Sequence, residues 1–76
     1  MFKTMVEVFK TNVKNSTQAD LLIDRFHELS IDYIVNFDLQ DVDNILRVQS
    51  DTDPVNATLV IQLLEKFGFA AEVLPD

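Results

Sequence analysis

A change of apolar period that occurs twice restricts this chain more than any other feature. Ala19, Leu22, Ile23, Phe26 and Leu29 recur at spacings of three and four, and Ala57, Val60, Ile61, Leu64 and Phe67 repeat that spacing. Each set lines one face of a helix. Around them lie short stretches of β-branched and aromatic residues that alternate with polar ones, the period of a half-buried strand.

The spacings predict a first strand over Met5 to Phe9, alternating around Val6 and Val8, with either Val8 or Phe9 facing the core. A helix follows from Ser16 to Leu29, preceded by the capping oxygens of Asn15, Ser16 and Thr17. Ile31 to Leu39 forms a second strand. Tyr33, Val35, Phe37 and Leu39 share one side, Asp32, Asn36 and Asp38 take the other, and Ile34 breaks the pattern. Gln40-Asp41-Val42-Asp43-Asn44 reads as a turn into a returning strand over Ile45 to Gln49, with Leu46 and Val48 on one face. Asp51-Thr52-Asp53-Pro54 predicts the start of the second helix, with Asp53 as cap and Pro54 at a first position that needs no amide hydrogen. Lys66 suits the last turn, Gly68 supplies a left-handed stop, and Ala70 to Leu74 forms a final strand before Pro75.

Right-handed crossovers between these elements place both helices on one face of an antiparallel four-stranded sheet. The expected class is α+β, a ferredoxin-like β-α-β-β-α-β sandwich formed by residues 1–76 as one domain, because a chain this short closes around a single core. That arrangement hosts many unrelated tasks, so function has to be read from a site.

Composition removes several classes of site. Cysteine is absent, which excludes disulfides and any thiolate nucleophile, redox centre or soft-metal ligand. Thirteen acidic against six basic residues give a net charge of −7, which repels nucleic-acid phosphates and anionic lipid headgroups. Charges interrupt every apolar run of Met-Phe-Lys-Thr-Met-Val-Glu-Val-Phe-Lys at the amino terminus, so neither a signal-peptide core nor a membrane span is expected, and a cytoplasmic setting is. A single glycine excludes phosphate-binding and dinucleotide-binding loops that need several.

The remaining polar residues offer few chemical sites. His27 follows Asp24 by one helical turn, and Asp20 precedes Asp24 by another, so a Zn²⁺ site or an acid-base couple would draw on His27 and Asp24. Asp38, Asp41 and Asp43 gather at the hairpin, with Asp51 and Asp53 beyond the next strand, but without the spacing or glycine of a calcium loop they read as turn formers and a cap. Ser16, Ser30 and Ser50 would have to share one histidine, so no nucleophilic triad is expected and the chain is not read as an enzyme.

The segment Gly68-Phe69-Ala70-Ala71-Glu72-Val73-Leu74, after a helix ending Leu63-Leu64-Glu65-Lys66-Phe67, resembles the signature Leu-Gly-Tyr-x-Ala-x-Val of heavy-metal-associated, copper-chaperone-like domains. Val35-x-Phe37-Asp38-Leu39 is similar to that family's Val-x-Val-Asp-Leu strand, and Ala19, Leu22 and Phe26 match the spacing of its first helix. In the family, the loop Gly-Met-Thr-Cys-x-x-Cys binds Cu(I) through two thiolates. Here Asn12-Val13-Lys14-Asn15-Ser16-Thr17-Gln18 occupies that stretch, with Val13 at the packing methionine and Asn15 and Gln18 at the two cysteine positions. Phe69 matches an aromatic that lies beside the loop. The resemblance implies a divergent member that has lost the Cys-x-x-Cys motif and its metal transfer, and no cofactor is expected.

These readings converge on a small non-catalytic protein-interaction or regulatory module. Its partner would be a basic protein drawn to the acidic surface, or a second copy through exposed sheet edges or faces. The alternatives are a small anion or metabolite held by Val13, Lys14, Asn15, Ser16, Thr17 and Phe69 with Lys10 nearby, or a hard or borderline metal at His27 and Asp24.

Overall fold

The computed structural model describes residues 5–29, 32–51 and 53–74. The elements are β1 (Met5–Thr11), α1 (Ser16–Glu28), β2 (Ile34–Asp38), β3 (Ile45–Ser50), α2 (Ala57–Lys66) and β4 (Ala71–Val73). The strands form one antiparallel sheet in the order β2-β3-β1-β4, and the fold is ferredoxin-like α+β. The charged amino terminus at residues 1–4, Ser30, Ile31, Thr52 and Pro75 lie outside the described residues. Among the described residues, no helix is long and apolar enough to cross a membrane.

Both helices cover the same face. One core cluster joins Ala19, Leu22 and Phe26 of α1 and Val60, Leu63 and Leu64 of α2 to Phe9, Val35, Leu46 and Val48 of the sheet. The register explains why: Phe9 pairs with Leu46 and Leu46 with Phe37 in one row, and Val35 with Val48 in the next, so two rows of apolar side chains run beneath the helices. This fixes the phase that the alternation left open. Phe9 is fully buried, whereas Val6 is 46% exposed. A one-residue slip would exchange the two faces, and a buried aromatic removes more apolar area from water than a valine does. With Phe9 inward, Thr11 and Val13 follow it inward, and β1 runs two residues past its expected end.

The start of α2 differs from expectation. Asn56, not Asp53, is the cap: its Oδ1 accepts from the Leu59 amide at 3.1 Å, and Ala57 opens the helix. The Asp53 amide instead donates to Ser50 Oγ at 3.3 Å. Two contacts hold the intervening chain out of the helix. The Asn56 amide donates to Tyr33 Oη at 2.8 Å, and Val55 packs against the core. Proline therefore precedes the helix and does not occupy its first position.

The far end of α2 follows the sequence closely. Gly68 has φ +87°, its amide donates to the Glu65 carbonyl at 3.0 Å, and the Phe69 amide donates to the Leu64 carbonyl at 2.9 Å. These are the paired hydrogen bonds of a Schellman stop, which needs the left-handed residue glycine supplies. Phe69 then packs on the core and the chain enters β4.

Candidate functional site

The loop between β1 and α1 is tied down at every turn. Asn12 exchanges two hydrogen bonds with Ala70, its Oδ1 accepting from the Ala70 amide at 2.8 Å and its amide donating to the Ala70 carbonyl at 3.3 Å. Val13 is fully buried in the core, and its amide donates to Thr11 Oγ1 at 3.2 Å. Asn15 caps α1, with Oδ1 accepting from the Gln18 amide at 2.8 Å. Gln18 returns the gesture one residue earlier than a standard capping box, its Oε1 accepting from the Lys14 amide at 3.5 Å.

The two positions at which the resembling family carries thiolates thus hold amides that complete the helix start. Neither carbonyl oxygen is uncommitted, and both are hard donors ill-suited to a soft ion. Phe69, the aromatic expected beside the loop, is half-buried against the core. Lys14, Ser16 and Thr17 are exposed, and the Lys10 ammonium lies 3.7 Å from the Asp43 carboxylate at the hairpin. The pieces of an anion site are present, but Lys10 is engaged elsewhere.

His27, Asp24 and Asp20 all lie on the exposed side of α1, as their spacing predicts. Among the described residues, no group of three or more His, Cys, Asp or Glu side chains is placed to hold a metal ion. Asp38 and Asp41 act as turn formers: Asp38 Oδ1 accepts from the Gln40 amide at 3.2 Å and Asp41 Oδ1 from the Asp43 amide at 2.9 Å. Ser50 is buried and accepts from Asp53, while Ser16 is exposed at the start of α1.

Two depressions flank α1. The larger, about 420 Å³, opens between its first half and the end of β2, where Asp20 and Asp38 face Ile23 and Phe37. The other, about 300 Å³, lies between the carboxyl ends of α1 and α2. There Arg25 sits over the Phe67 ring at 5.7 Å and pairs with Glu28 at 2.5 Å, leaving its Nε without a partner among the described residues.

The surface for which sequence reasoning named no residues is the sheet face opposite the helices. Its residues fall in rows across the strands. Asp38, Ile45, Lys10 and Glu72 form one row, Asn36, Arg47, Val8 and Leu74 the next, and Ile34, Gln49 and Val6 the third. Among the described residues no element covers this face, and Ile34 and Val6 are 49% and 46% exposed. Ile45 is 7% exposed yet lies outside the core cluster. The signal was present in the sequence as Ile34, the apolar residue out of phase on β2. Once Phe9 is inward, Val6 and Val8 are outward too.

No family model, curated protein or solved structure matches the chain.

Proposed function

We propose that the chain is a non-catalytic, cytoplasmic protein-interaction module whose working surface is the open face of the sheet. It would derive from heavy-metal-associated domains by exchange of the two thiolates for a capping pair. The observation that carries this reading is the contrast between the two surfaces. The loop where such domains do chemistry has its amides committed to the start of α1, while the sheet presents exposed Val6 and Ile34 and half-buried Val8 and Leu74 around Arg47, with no element over them among the described residues. Isolated exposed apolar residues are ordinary, but a group of them on one flat face with charges interspersed has the make-up of a docking surface.

A photo-reactive residue placed at position 34, compared with one at the exposed helix position 24, tests the reading. Crosslinks to protein that form from position 34 and fail from position 24 support it. Equal yields, or none from position 34, overturn it. The chemical alternative is checked by amide NMR during addition of Cu(I), Zn²⁺, Ca²⁺ and phosphate. Saturable, stoichiometric shifts confined to Asn15 and Gln18, or to Asp24 and His27, would replace the docking function with a ligand site.

A further inference from the structure

We propose that the occupant of the open sheet face is a second copy of this chain, in a two-fold dimer whose sheets pack face to face; this rests on reading that face as the working surface. Charge is the first argument. The strand residues on the face comprise Lys10 and Arg47 against Asp38 and Glu72, with Asp43 beside Lys10, so the face comes close to balance and most of the chain's net −7 resides on the rest of the molecule. Two copies meeting by their helical sides bring like charge together. Meeting by the sheets is the approach in which the surfaces in contact carry the least net charge.

Self-complementarity is the second argument. A two-fold interface brings residue i of one copy to residue j of the other and the reverse at the same time. Arg47 and Glu72 are both exposed, carry opposite charge, and form no ion pair with one another or with any other described residue. They stand in adjacent rows on β3 and β4, on either side of β1, so an axis passing over the Val8 to Lys10 stretch exchanges them. Each copy then supplies the partner the other's arginine lacks, and Val8 and Leu74 close together beneath the two pairs.

Charge reversal makes this testable without altering the core. Arg47→Glu and Glu72→Arg each place like charges across the axis, so each variant alone should sediment as a monomer while the unaltered chain shifts to twice the monomer mass as its concentration rises toward about 1 mM. Mixing the two variants pairs opposite charges at both contacts, and the mixture should regain the dimer. Circular dichroism and thermal melts of each variant separate loss of association from loss of fold. A monomer at every concentration for the unaltered chain overturns the proposal, and crosslinks from position 34 to another protein would then leave the broader docking function standing. Dimers that survive both single reversals, or a mixture that stays monomeric, overturn it as well.

Discussion

Thr11 shows how one side chain can hold two loops together. It is 7% exposed, its hydroxyl donates to the Asn44 carbonyl at 2.6 Å in the β2–β3 turn, and the same oxygen accepts from the buried Val13 amide at the start of the β1–α1 loop. Its own amide donates to the Asp43 carbonyl at 3.1 Å. Thr11→Val preserves shape but strands the Val13 amide and the Asn44 carbonyl, so unfolding in urea should show a loss of about 1–3 kcal/mol with an unchanged m-value. Gly68 makes a different demand. A Cβ there would meet nothing within 4 Å, so any cost of Gly68→Ala is backbone alone. At φ +87° that cost should be about 1–2 kcal/mol, and Gly68→Asn should recover part of it, because asparagine tolerates the left-handed region. Asn44, with φ 47° in the hairpin turn, already exploits that tolerance. The glycine stop could be read in the sequence because only one residue type suits it. The Thr11 bridge could not, since its partner at Asn44 is brought near only by the pairing of β1 with β3.

At the scale of elements, the two helices were legible from their apolar stripes, and the strands were legible in position but not always in phase. Periodicity names two faces of β1 without saying which is inward, and Phe9 decides it only through Leu46 and Phe37 on other strands. Local capping rules also mistook the start of α2, because Asp53-Pro54 satisfies them on paper while Tyr33, distant in sequence, holds the chain extended as far as Asn56. The candidate site was partly legible in the same sense. Asn15 and Gln18 could be matched to the thiolate positions of the family the sequence resembles, but their reciprocal bonds with backbone amides come only with the folded loop. That geometry makes the proposed ancestry testable. Asn15→Cys with Gln18→Cys places two thiols beside the first turn of α1, where the helix dipole favours thiolate. The double variant should bind Cu(I) with one-to-one stoichiometry by competition against a chromophoric chelator, and each single variant should lose most of that affinity. It should also lose about 1 kcal/mol of stability with the Asn15 cap. Absence of stoichiometric binding in a folded double variant would argue that the loop does not descend from a soft-metal site.

Across the whole molecule the governing quantity is charge. Thirteen acids on a chain with six bases make the folded state, and still more a dimer, an assembly of like charges held against repulsion. The two partner classes that the sequence left open, a basic protein or a second copy, therefore differ in the sign of their salt dependence. Raising ionic strength from about 10 mM to about 150 mM shortens the Debye length from about 30 Å to about 8 Å. Attraction between this chain and a basic partner weakens over that range, with the association rate falling first. For self-association across the sheet, the short Arg47–Glu72 contacts are partly dried by the interface and lose little. The long-range repulsion between two bodies of −7 is screened away. Dimerisation measured by sedimentation should thus tighten with added salt, and the melting temperature of the dilute monomer should rise over the same range as its own repulsion fades. A dimer that loosens as salt is added would mean that attraction between opposite charges, the Arg47–Glu72 pairs included, outweighs the long-range repulsion, and the prediction of tightening would fail.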